Sequence, residues 1–156
     1  IIYIIGQIVL LRKNFDPIQL LQLPLSFLFG YFTDFGAYVS QIIPNNIYII
    51  QFLTMSVGVF FLGFGIALGV IANTILTSAE GLVKAISVVF RKNFSNVKIA
   101  FDITFVIFAI ICSLWFFDGK IMGVREGTLF SAIFTGIAVK ISLALFEKPL
   151  EKFLTR

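Results

Sequence analysis

The chain contains no histidine and a single cysteine, Cys112. A disulfide within the chain is thereby excluded, and a His/Cys metal site has almost nothing to draw on. Charge is scarce as well: 13% of the residues are Asp, Glu, Lys or Arg, and none falls between Asp34 and Glu80. The chemistry of an enzyme is missing too. There is no glycine-rich phosphate loop, no His to act as a base for a nucleophile, and no pair of acids at useful helical spacing. Neither catalysis nor a cofactor is expected.

What is present is apolar. Of the 156 residues, 59% are hydrophobic and twenty are Phe. Residues 47–75 read IYIIQFLTMSVGVFFLGFGIALGVIANTI, apolar on every face of any helix they form. Such a helix would run about 43 Å at 1.5 Å per residue, against a hydrocarbon core of about 30 Å. A soluble protein of this size cannot hide it on all sides, whereas a bilayer can. Charge then returns in TSAEGLVKAISVVFRK (77–92), in an amphipathic pattern. The reading is an all-α, polytopic membrane helical bundle forming a single domain.

Taken in order, residues 1–11 (IIYIIGQIVLL) make half a span closed by Arg12 and Lys13. Ile1 already stands inside an apolar run, so a further helix is expected upstream. A connector over 14–19 has Pro17 placed for a helix start. The second span covers 20–41, with Pro24 in its first turns, where a lost backbone donor costs least. The uncharged turn IIPNN (42–46) leads to the third span, 47–75. A break near 77–79 then starts a separate helix at 78–90, either interfacial or re-entrant, with Leu82, Val83, Ile86, Val89 and Phe90 at helical spacing. A fourth span at 97–117, a turn at Asp118, Gly119 and Lys120, a fifth span at 128–146 and a short amphipathic tail complete five visible spans.

The net charge of +4 does not indicate nucleic acid, because the basic residues sit at the ends of apolar runs. Arg12 and Lys13, then Lys84, Arg91, Lys92 and Lys98, then Lys148, Lys152 and Arg156 fall on alternate connections. Placing those inside makes the C-terminus cytoplasmic. With one more upstream helix the set would be six. An echo between LFGYFTDFG (28–36) and LFSAIFTGIAV (129–139) suggests two three-helix halves in opposite orientations, as in many secondary transporters.

The segments ILTSAEGLVKAIS (75–87), NVKIAFD (96–102) and GVREGTLFSAIFTG (123–136) resemble the bacterial YczE/YyaS/YitT-like integral membrane proteins. The likeness extends over residues 7–145 and includes LLRKNF (10–15) and LFGYFTD (28–34). It implies a multi-span inner-membrane protein, permease-like and without established chemistry. The family pattern has an additional N-terminal helix that this chain lacks.

Ionisable groups inside spans cost about 2.5–3.5 kcal/mol each, so each needs a reason. Asp34 reads as a cation or proton site, or as a structural partner to a basic group. Asp102 reads as a site residue or as one held by Lys98 a turn away. Lys140 reaches either a site or, by snorkelling, the surface. Glu80, with Gly81 permitting a tight turn, resembles the binding segment of a broken-helix transporter; it fits equally the first turn of a surface helix. Arg125 reaches inward or caps the last span. Matching depths suggest an inner pair, Asp102–Lys140, and an outer pair, Asp34–Arg125. Together these five form the expected substrate-binding set.

Two functions fit. One is a transporter or permease-like protein for a small polar or ionic solute or coupling ion. The other is a non-transporting membrane subunit or scaffold, working as a homo-oligomer or with a membrane partner. The lipid bilayer is a partner in both. The topology makes one firm prediction: cysteines placed at 42–46 label from outside the membrane and those at 91–92 from inside. Labelling of both from the same side contradicts it.

Overall fold

A computed structural model describes residues 1–12, 15–42, 47–117, 121 and 123–154. The expected turns at 42–46 and 118–120 fall largely outside those residues, as do Lys13, Asn14, Met122 and the last two residues. Among the described residues there are six α-helices and no strand: α1 (Ile2–Leu11), α2 (Gln22–Ser40), α3 (Tyr48–Ile71), α4 (Ser78–Val89), α5 (Phe94–Phe116) and α6 (Glu126–Leu154). A 3₁₀ turn at Pro17–Leu21 precedes α2, started by Asp16, whose carboxylate accepts from the Ile18 N–H at 3.0 Å.

Three helices, α3, α5 and α6, are long and apolar enough to cross a membrane. This is a membrane protein with a helical bundle. α1 is apolar but only ten residues long. α2 has nineteen residues, yet Gln22, Pro24, Asp34 and its tyrosines leave it less apolar than those three.

α3 ends at Ile71 rather than running to 75. Asn73 takes a left-handed conformation (φ 50°), and its N–H donates to Val70 while the Thr74 N–H donates to Gly69. That closes the helix with a Schellman motif, for which Asn is among the better non-glycine residues. Polar backbone thus separates α3 from α4, as the return of polar residues in the sequence led us to expect. α4 ends the same way, through Arg91 at φ 51°.

α6 is the central post. It packs along α3 and against α5, while α4 lies between α1 and α5. α3 and α6 are parallel: Tyr48 meets Glu126, Phe52 meets Phe130, and Phe64 meets Phe146. Small residues let these helices approach, as is usual in membranes. A Cβ at Gly63 would lie 2.5 Å from that of Ala138, and Gly136 is covered by Ile99. The core gathers Ile66, Ala67, Leu76, Val83, Phe94 and Val139, where the end of α3, the start of α5 and the later part of α6 surround α4.

α4 is for the most part covered by protein. Gly81, Val83, Ala85 and Ser87 are all buried, and neighbours cover it on several sides. α2 is the reverse: from Tyr31 to Ile42 every residue is exposed. The two segments that echo each other thus have different surroundings, one on the uncovered part of α2 and the other in α6 between α3 and α5.

Overpacking at the closest approach should cost about 1–3 kcal/mol. Gly63→Val is expected to lower the detergent unfolding midpoint. Gly58→Ala, where a Cβ meets nothing within 4 Å, should leave it level or raise it slightly.

Candidate functional site

Several polar side chains of the interior converge on the first turn of α4. Gln7 of α1 and Gln22 of α2 are almost wholly buried and pair through their amides in both directions, at 3.0 and 3.1 Å. The Gln7 amide also donates to the Ser78 carbonyl at 3.1 Å. Ser26 donates to the Gln22 carbonyl at 2.6 Å and lies 3.2 Å from the Ser78 hydroxyl. Gly81 makes room for this cluster: a Cβ there would stand 2.6 Å from the Gln22 amide nitrogen. That close approach, not a tight turn, is why the position takes glycine.

One residue earlier, Glu80 points the other way, to α5. Its Oε1 lies 3.5 Å from the Lys98 ammonium, which donates to Asp102 Oδ1 at 3.0 Å. Lys98 is 7% exposed. Thr77 and Glu80 are spaced as a capping box, in which the acid would satisfy the helix start. The Thr77 side chain makes no such bond, and Glu80 is directed to Lys98. Two carboxylates thus share one ammonium, and Glu80 Oε2 is buried with no hydrogen-bond partner. With all three groups ionised, the cluster carries one negative charge more than its own residues neutralise.

Two cavities reach this turn from different sides. The first, about 590 Å³, lies among the 3₁₀ turn, the connection after α3 and α4, and reaches Gln22 and Gly81. Lys84 stands in its wall and donates to Asn73 at 2.6 Å. Partial burial lowers the pKa of the Lys84 ammonium from the usual lysine value. The second, about 400 Å³, is a groove between α2 and α3 that reaches Glu80. Residues 74–76 border both.

Of the five expected site residues, the structure unites two, Glu80 and Asp102, through Lys98. The proposed pairs do not form. Asp102 takes its cation from its own helix one turn back, and Lys140 lies on the exposed side of α6. Asp34 is exposed on the uncovered part of α2, away from Arg125, which is exposed as well. The Arg125 backbone N–H donates to the Thr128 hydroxyl at 3.3 Å, a local cap at the start of α6. Sequence reasoning passed over Gln7, Gln22 and the shared role of Lys98. The available signal was the amide in IIYIIGQIVLL, a polar group with no water to bond.

A family model for DUF6198, a family of unknown function, matches residues 1–143. The chain belongs to that family. No curated protein and no solved structure matches it.

The paired amides yield a prediction. Gln7→Leu strands the Gln22 amide and should cost about 1–3 kcal/mol of stability in detergent. Adding Gln22→Leu should cost less than the sum of the single changes. Strict additivity would show that the two side chains do not pair in solution.

Proposed function

We propose that this protein is a permease-like transporter for a small polar or ionic solute, with its site at the first turn of α4. The observation that carries the reading is the convergence of two separate cavities on one partly buried turn. Beside that turn, Glu80 and Asp102 share the single ammonium of Lys98. Charges in such surroundings are costly and mark ion and solute pathways. Broken helices that present their ends to a solute near the middle of the membrane are a transporter device. The likeness of residues 75–87, 96–102 and 123–136 to the YczE/YyaS/YitT-like permease-like proteins supports the same reading.

In this account the protein is a multi-pass component of a bacterial plasma membrane. The basic connections and the C-terminus are cytoplasmic. The 590 Å³ cavity, with Asp16 and Lys84 in its walls, then opens on the cytoplasmic side. Glu80, which lines the second cavity, contacts the solute or coupling ion; Lys98 positions it and holds Asp102 beside it.

A second reading, a non-transporting subunit that docks a membrane partner, rests on α2. Its outer part is uncovered and carries Asp34, which in lipid would cost about 2.5–3.5 kcal/mol without a partner.

Uptake into proteoliposomes across a metabolite panel separates the two. Transport predicts uptake of at least one solute, reduced tenfold or more (about 1.4 kcal/mol in barrier) by Glu80→Gln and little changed by Asp34→Asn. A subunit role predicts no uptake by the protein alone.

A further inference from the structure

The groove between α2 and α3 has a chemical character of its own. Its walls are Leu25 and Phe29 from α2 and Phe61, Leu62 and Ile66 from α3. Among the described residues that line it, Glu80 alone is charged. The second oxygen of that carboxylate is buried and without a partner, while the first shares Lys98 with Asp102. The cavity is apolar along α2 and α3, with Thr74 and Thr77 at the end where the Glu80 carboxylate makes it anionic.

Those two properties narrow the occupant. An anion would meet Glu80 with like charge. An uncharged apolar molecule would leave Glu80 Oε2 as it stands, buried and unpaired. A small inorganic cation needs several oxygen ligands to replace its water, and the groove offers few. A singly charged organic cation with an apolar body satisfies walls and carboxylate together. Phenyl rings such as those of Phe29 and Phe61 also attract cations through their quadrupoles. Both rings are half exposed or more, so the groove is open along the side that would face lipid, where an amphipathic cation concentrates.

We propose that this groove binds a monovalent organic cation with an apolar body, such as an aryl-alkyl ammonium, with Glu80 as its counter-ion. The inference deepens the transport reading and rests on it for the role of the site. Binding brings one positive charge to a cluster that has one negative charge in excess, so the filled site is neutral. Entry is lateral, between α2 and α3, and the polar cavity beyond Gly81 lies on the other side of residues 74–76.

Gly65 supplies a test that spares the ion pairs. It lines the groove, and a Cβ there meets nothing within 4 Å. The first carbon of a side chain there enters open space, and Gly65→Leu therefore takes up room in the groove. The full chain, purified in detergent, is titrated with benzyltrimethylammonium at constant ionic strength and followed by calorimetry. Saturable one-site binding is expected, weakened at least about tenfold by Glu80→Gln and by Gly65→Leu. Should Glu80→Gln fail to fold, Gly65→Leu carries the test alone. Absence of saturable binding in the wild type, or binding unchanged in Gly65→Leu, overturns the proposal. Glu80-dependent uptake of a hydrophilic solute by a protein that does not bind the ammonium would remove the cation and leave the transport reading. Saturable, groove-dependent binding without any uptake would do the reverse.

Discussion

A helix that begins inside an apolar bundle brings a turn of polar backbone and its flanking polar side chains with it, and lipid offers no water to meet them. α4 is twelve residues long, about 18 Å, too short to cross the hydrocarbon core on its own. The surrounding helices therefore have to supply partners for its first turn. Gln7 from α1, Gln22 and Ser26 from α2, and Lys98 and Asp102 from α5 all turn toward it. Gly81 is fixed by the same requirement, since any side chain there would displace the amide pair. These polar contacts add to the apolar packing of α1, where Ile4 is buried and Tyr3 meets Phe101 and Phe105, and they anchor the start of α2, whose later part is exposed.

Among the described residues, the buried atom of this cluster left without a partner is Glu80 Oε2. On the Gln7–Gln22 side each amide finds a partner, and such a network holds helices in register. On the Glu80 side the ledger of charge does not close, since one ammonium serves two carboxylates. A purely structural ion pair would need only one acid. The surplus carboxylate, with a cavity leading to it, is the feature that turns a packing arrangement into a candidate site.

Much of this was legible in the sequence, and the reasons it stopped are physical. The long apolar helices declare themselves, because a run without charge leaves no soluble alternative. The break after α3 is marked by the return of polar residues at 77–79, although the Schellman closure at Asn73 places the end at Ile71, ahead of that segment. The pairing of Lys98 with Asp102 follows from i,i+4 spacing alone. That Glu80 joins them depends on how α4 is rotated against α5, which no local pattern encodes. The matched-depth argument for Asp102 and Lys140 failed for the same reason: depth along a helix says nothing about the face. Gln7 and Gln22 went unremarked because one neutral amide barely disturbs an apolar run. The exposure of α2 was hidden likewise, its Phe-rich pattern being equally suited to lipid or to a neighbour.

The coupling of Glu80 to Lys98 is the contact on which the account stands, and a double-mutant cycle in detergent measures it most directly. Lys98→Met leaves two partly buried carboxylates with no cation and should cost about 3 kcal/mol, the low end for a broken buried pair. Combined with Glu80→Gln, the same change should cost at least about 1 kcal/mol less, since one of the stranded charges is gone. If the two substitutions add without interaction, Glu80 and Lys98 do not meet in the membrane-bound protein, and the buried site at the start of α4 is contradicted.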